Sequence, residues 1–353
     1  MSFIYFEHIG ITGISAAVPR RKVDNKEMVD FFTPQELENA INTTGIRERR
    51  IADGLTCSSD LCHAAAETLL EEMQIDKGTI DVLIFLSQTP DYHQPSTAPI
   101  LQHRLGLPKN TASFDINMAC SGYVYGLATA FSYASQKGIN RVLLLVGETL
   151  SKTVSKRDRA TALLFGDAGT ATIVEKKARF GSSYFSLNSD GSGYQVLIIP
   201  AGGYRTPSSP ETHAERKYED GSMRSDEEMF MDGLEVFNFT MREVPDDIKR
   251  LLRFAEKDIN EIDFLVFHQA NRYMTDFFLK KLRYQGKMVP YSLDRYGNTS
   301  SASIPLTVVT ELQQFLQNQK KTFVISGFGA GLSWGSALIE IDHARIPALQ
   351  EVE

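Results

Sequence analysis

The sequence predicts an α/β protein with mixed, helix-covered sheets, assembled from two fused copies of one βα unit. Buried-strand segments, their repetition half a chain apart and the helix-like stretches between them predict it. Residues 80–88 read Ile-Asp-Val-Leu-Ile-Phe-Leu-Ser-Gln, and residues 262–269 read Ile-Asp-Phe-Leu-Val-Phe-His-Gln. Both are short apolar runs, rich in β-branched residues, that close on polar ones. Strands buried on both faces read this way. A second pair, 141–147 and 321–327, matches at the same offset of roughly 180 residues, and two matches at one offset indicate duplication.

At the start of the chain, Met1-Ser2-Phe3-Ile4-Tyr5-Phe6-Glu7-His8 lacks a basic region followed by a long apolar run, so no signal peptide is expected. No apolar stretch reaches the ~18 residues of a membrane span. Cys57 and Cys62 flank a helix start without two further ligands nearby, so no metal site is expected there. With Cys120 they make three cysteines in 353 residues, which indicates a reducing compartment and hence the cytoplasm. A net charge of −7 speaks against nucleic acid or anionic membranes as general partners.

Helix-like segments, 64–73 and 247–256, precede the two repeated strands. That alternation sets the class. The chain divides into an N-terminal half, 1–178, a connection, 179–235, and a C-terminal half, 236–353. The stretch 181–235 is rich in Gly, Ser, Pro and charge, from Gly202-Gly203-Tyr204 to Asp226-Glu227-Glu228. It reads as a surface insertion, either a lid or pocket wall or a mobile connection.

Cys120 follows a short apolar strand, 114–116, and opens a helix rich in small residues: Gly126, Ala128, Ala130, Ala134. Small residues suit a helix packed on all sides. A cysteine at its N-terminal end meets free backbone N–H groups and the positive end of the dipole, which favour a thiolate. Taken alone, Cys120 reads equally as a small core residue. His268 ends the strand 262–267, at the carboxyl edge where α/β sheets place their sites. Asn298 sits in a Gly-Asn turn, Tyr296-Gly297-Asn298-Thr299-Ser300, ahead of another helix-like segment. The repeat puts Cys120 and Asn298 at matching points of the two halves. A pseudo-two-fold arrangement would bring both strand–helix junctions to one cleft.

Read together, these segments resemble the thiolase-fold condensing enzymes, and most nearly the β-ketoacyl-acyl-carrier-protein synthase III family. Ala119-Cys120-Ser121-Gly122, His268-Gln269-Ala270-Asn271 and Gly297-Asn298-Thr299-Ser300 carry the resemblance, with Phe165-Gly166-Asp167-Ala168-Gly169 and the glycine-rich 327–335. The likeness runs from Gly10 to Ile341. It implies a duplicated five-layer αβαβα fold and a homodimer. It also implies a ping-pong decarboxylative Claisen condensation in fatty acid biosynthesis, without metal or redox cofactor. Cys120 would take an acyl group from an acyl-CoA or acyl-carrier thioester. Malonyl-carrier thioester would then lose carbon dioxide, with His268 and Asn298 holding the enolate oxygen. Backbone N–H groups of Cys120 and Ala330 would hold the acyl oxyanion. The resemblance places Arg159, Gln94, Gly329 and Gly331 at the substrate. Apart from the resemblance, Arg272, Lys280, Lys281 and Arg283 follow His268 at helical spacing and read either as a docking face for an acidic carrier protein or as a solvated helix face.

The family's adenine-stacking tryptophan and arginine are replaced by Asn39 and Thr43, which favours a carrier-bound donor or a differently held CoA. Gln94 stands before Pro95 where the family has an aromatic gate; it reads either as a pocket amide, which suggests an acyl group other than acetyl, or as a side chain pointing to solvent. Other readings are weaker. The 327–335 run lacks dinucleotide-loop spacing and has Trp334 at the helix start. Cys…His…Asn is also the order of papain-like proteases, but their Cys-Gly-Ser-Cys-Trp context is absent. A relative forming esters or amides without decarboxylation is the principal alternative. A non-catalytic partner subunit is a further one, which the intact Cys120 opposes.

Overall fold

The two halves repeat one strand pattern. The computed structural model describes every residue except Met1, Gly286 and Asn318. Its main sheet contains β1 (Ser2–Glu7), β2 (Ile9–Pro19), β3 (Val82–Leu86), β4 (Ala112–Ile116), β5 (Arg141–Glu148), β6 (Ala168–Lys176), β7 (Ser182–Ser189), β8 (Phe264–Phe267), β9 (Lys320–Gly329), β10 (Ser333–Arg345) and β11 (Gln350–Val352). In the first half β3 lies parallel to β4 and β5, then β5/β6 and β6/β2 are antiparallel. In the second, β8/β9 is parallel, and β9/β10 and β10/β7 are antiparallel. The expected repeat is visible in register: Val82 pairs with Val142 as Phe264 pairs with Phe323. β10 joins the halves by pairing in parallel with β2.

Among the described residues, α1 (Pro34–Thr44) packs outside the sheet against Ala162 and Leu163, and six helices cover the strands: α2 (Ser58–Glu72), α3 (Thr97–Arg104), α4 (Gly122–Ala134), α5 (Gly233–Phe254), α6 (Arg272–Leu282) and α7 (Ser303–Leu316). Side chains alternate across a strand, so each buried strand feeds two cores. Val82, Ile84 and Leu86 of β3 face the central core with α4 and α7, which Val266 and Ile325 close from the other half. Leu83 and Phe85 face an outer core with α2 and α3. Leu265 and Val324 face the opposite outer core with α5 and α6. The layers are therefore α2/α3, sheet, α4/α7, sheet, α5/α6. The small residues of α4 permit this stacking: a Cβ on Gly122 would lie 2.5 Å from Leu86.

Three boundaries differ from the sequence reading. The connection 179–235 is not wholly an insertion, because β7 within it is a full strand of the second half's sheet. The N-terminal β1 pairs with β7, while the C-terminal β11 pairs with β2. Each half thus receives a strand from the other's end of the chain, which hydrophobic periodicity cannot show. Lastly, α5 begins at Gly233 rather than 247 and contains Pro245. A proline inside a helical pattern reads as a break, since it removes one backbone hydrogen bond. Among the described residues no helix is long and apolar enough to cross a membrane.

Candidate active site

The link between β4 and α4 delivers Cys120 one residue before the helix cap, Ser121. Cys120 is 6% exposed, and its Sγ lies 3.4 Å from Ser300 Oγ, 180 residues away and on the equivalent junction of the other half. Gly329, at the end of β9, makes that position possible. A Cβ there would sit 2.9 Å from the Cys120 Cβ and 3.1 Å from its Sγ. Gly329 therefore packs on the Cys120 side chain, while Gly331 and Ala330 line the adjoining cavity.

Burial pushes the Cys120 thiol up to about 12; contacts with Ser300 and with its own backbone N–H oppose the shift, and the nearby Glu148 adds to it. The expected resting thiolate is not what this environment favours. A helix end supplies only about half a charge, whereas desolvation acts on the whole anion.

His268 follows β8 and is 2% exposed. Its ring meets Phe328 edge-on, with centroids 5.3 Å apart at 76°. Burial drives its pKa down to about 3, so the imidazole is neutral. Nδ1 lies 2.8 Å from Ser303 Oγ, whose hydroxyl is also 2.7 Å from the Ser300 carbonyl. Asn298 Oδ1 accepts the Ser300 N–H at 2.8 Å, which leaves its amide Nδ2 as a donor. One turn, 298–303, therefore touches Cys120, orients Asn298 and holds His268. It is braced by the Phe165-Gly166-Asp167 segment: Gly166 N–H donates to Asn298 O at 3.1 Å, and a Cβ on Gly166 would lie 2.0 Å from the Tyr296 carbonyl.

Glu148, at the end of β5, is a further residue of the site that no sequence motif marks. It is fully buried and accepts from Ser301 Oγ at 2.9 Å and Gln88 N at 3.1 Å, with Ser87 and Thr89 hydroxyls at 3.4 and 3.3 Å. Burial raises its carboxyl to about 7 despite these donors. An acidic residue closing the apolar run 141–147 was the available signal.

Beside Cys120 opens a cavity of about 640 Å³. Leu150, Phe165, Leu197, Ile198, Met229 and Leu332 give it an apolar wall, and Gln88 and Asn117 add amides. Leu197 and Ile198 pair with Met231 and Phe230 in a two-stranded ribbon, so residues of the 179–235 segment do form a pocket wall.

The other predicted substrate residues lie elsewhere. Arg159 is half-exposed and donates to Glu36 of α1 at 2.9 Å. Asn39 and Thr43 are exposed on α1. Gln94 is exposed and does not line this cavity, so its amide has solvent rather than a buried partner. Arg272, Lys280 and Arg283 are exposed at α6, while Lys281 reaches the Met241 carbonyl at 3.2 Å.

Comparison with known proteins gives a consistent picture. The family model for 3-oxoacyl-[acyl-carrier-protein (ACP)] synthase III matches residues 114–191, and the model of its C-terminal part matches 252–341. The chain is 37% identical over 331 residues to a β-ketoacyl-[acyl-carrier-protein] synthase III of Symbiobacterium thermophilum, covering 93% of this chain and 96% of that one. It is 35% identical over 333 residues to that of Desulfitobacterium hafniense, at 94% and 97% coverage. A crystal structure of a 3-oxoacyl-(acyl-carrier protein) synthase from Burkholderia xenovorans superposes with a TM-score of 0.93 at 37% identity, over 99% of both chains.

Proposed function

As the chain belongs to the 3-oxoacyl-[acyl-carrier-protein] synthase III family, we propose that it joins an acyl thioester to malonyl-carrier thioester by decarboxylative Claisen condensation through Cys120. The observation that carries the roles is the 298–303 turn, which links the thiol, the amide and the imidazole beside an acyl-sized cavity.

In the first half-reaction Cys120 sulfur attacks the donor's carbonyl carbon, with the oxyanion held by the backbone N–H groups of Cys120 and Ala330. The carbon–sulfur bond to the donor breaks, and the thiol proton ends on the departing thiolate. In the second, the malonyl carbon–carboxylate bond breaks and carbon dioxide leaves. The electron pair passes to the thioester oxygen as an enolate, which Asn298 Nδ2–H and the His268 imidazole N–H stabilise. The carbanion carbon then attacks the acyl-Cys120 carbonyl, and the Cys120 thiolate leaves as the 3-oxoacyl product forms. No resident metal or redox group takes part in these steps. A neutral histidine suits its role, because an imidazolium would pair with the malonyl carboxylate and stabilise the group that has to leave.

The cavity volume and apolar wall support an acyl group longer than acetyl, since binding sites of about 300–1,000 Å³ hold drug-sized ligands. The exposed Asn39 and Thr43, and Arg159 paired with Glu36, support a donor not held by adenine stacking, such as an acyl-carrier thioester. The exposed cations of α6 support docking of an acidic carrier protein. A cytoplasmic homodimer completes the reading. The deciding experiment mixes enzyme, acyl-carrier thioesters of increasing length and malonyl-carrier protein, then measures carbon dioxide and product mass. Equimolar carbon dioxide and 3-oxoacyl thioester are expected, with acetyl not the preferred donor. Acyl transfer to hydroxyl or amine acceptors without carbon dioxide would contradict the condensation.

A further inference from the structure

His268 can hold its single imidazole proton on either nitrogen, and the structure contains a device that chooses. The Ser303 hydroxyl lies 2.8 Å from His268 Nδ1 and 2.7 Å from the Ser300 carbonyl oxygen. One hydroxyl hydrogen faces two acceptors. If the hydroxyl hydrogen goes to the Ser300 carbonyl, Nδ1–H can donate to the Ser303 oxygen, which leaves Nε2 as a bare lone pair. If Ser303 instead donates to Nδ1, the proton must sit on Nε2. Only that tautomer aims a donor at an enolate, because the ring's two nitrogens have opposite roles when neutral.

We propose that Ser303 is a positioning residue that donates to Nδ1 and so fixes His268 as the Nε2–H tautomer during condensation. The inference rests on the proposed function of this site. Ser303 is placed for the task as the first residue of α7, 1% exposed, with its hydroxyl also 3.3 Å from the Gln269 N–H, a donor that leaves Ser303 free to give its own hydrogen away. Ser300, whose φ of 51° lies in the left-handed region, directs its carbonyl to the same hydroxyl. Removing the Ser303 hydroxyl takes away the donor that keeps the proton on Nε2, and the opposite tautomer becomes populated. A lone pair would then face the developing enolate, while acyl loading of Cys120 requires no Nε2–H.

The test uses full-length protein with ¹⁵N-labelled histidine. The protein has seven histidines, so His268→Gln assigns the signal. Nitrogen shifts of the acyl-enzyme should report Nε2–H in the wild type and Nδ1–H in Ser303→Ala. Malonyl decarboxylation by Ser303→Ala should fall about 100-fold, the scale of a lost oxyanion donor, against an acyl-loading rate that changes far less. Ser303→Thr should restore both the shift and the rate. Three results would overturn the proposal: Nδ1–H in the wild-type acyl-enzyme, unchanged Nε2–H in Ser303→Ala, or equal loss of loading and decarboxylation in a folded variant. The wild-type spectrum alone decides the case if the alanine variant does not fold. Failure of wild-type enzyme to decarboxylate malonyl thioester would count instead against the proposed function, and the tautomer is read independently of it.

Discussion

The two halves share a strand pattern yet place different chemistry at equivalent ends. After β3 comes Ser87-Gln88; after β8 comes His268-Gln269. β5 closes on Glu148, a buried carboxyl beside Ser87, and at the offset of 180 residues β9 carries Phe328, an aromatic wall beside His268. The junction before α4 holds the thiol, and the junction before α7 holds the turn that supports the amide and imidazole. Two similar buried corners thus carry different groups, a thiol in one and an amide with an imidazole in the other, which the proposed function reads as nucleophile and donor pair. Burial treats both alike. It holds the cysteine protonated and the histidine neutral, since each charged form would lose its hydration.

This comparison predicts separable losses. The largest belongs to Cys120→Ala, which should remove acyl loading by about 10⁴-fold or more, read as the missing adduct in intact-protein mass. Its decarboxylating half should remain. Asn298→Ala should do the reverse: condensation falls by about 10²–10³-fold while the acyl-enzyme still forms, measured by single-turnover quench. Equal losses in both steps for either variant would break the division between halves.

The pH profiles should differ as well. Loading should rise with pH through the neutral range, because the Cys120 thiol is pushed up to about 12. Decarboxylation should show no limb near the ordinary histidine value of 6.5, because His268 sits at about 3. An acid limb at 6–7 that vanishes in His268→Gln would refute the dry imidazole.

Glu148 gives a smaller effect, read in stability. Its folded value of about 7 lies above the ordinary 4.5, so ionising it opposes folding. Its unfavourable contribution is absent below about 4.5, grows as pH rises to about 7 and is constant above. Glu148→Gln should remove that loss, on the order of 3 kcal/mol for a shift of this size, so the melting temperatures of variant and wild type should diverge between those pH values. Parallel melting curves across that range would show that Glu148 is not the titrating group.

Much of this comparison is legible in the sequence. Repetition of 80–88 at 262–269 and of 141–147 at 321–327 encodes the duplicated strands, because buried strands must be apolar throughout. Cys120, His268 and Asn298 stand out because polar groups closing apolar runs need a reason. Strand exchange at the termini is not legible. β1 and β11 are ordinary short strands, and their partners depend on which sheet edge lies open. Nor could composition reveal that Gly329 makes room for Cys120 by lacking a side chain, or decide between a pocket-lining and a solvent-facing Gln94. The protonated state of Cys120 is not legible for a related reason: a helix terminus is written in the sequence, but the depth of burial that outweighs it is set by β9 and the turn before α7, far along the chain.

Sequential intact-mass measurement tests the division of labour most directly. The enzyme is first incubated with an acyl-carrier thioester, then chased with malonyl-carrier protein. A single adduct, absent in Cys120→Ala, should appear and then discharge on the chase in wild type but persist in Asn298→Ala. An adduct on another residue, or one discharged equally well without Asn298, would contradict the assignment of nucleophile and donors to separate halves.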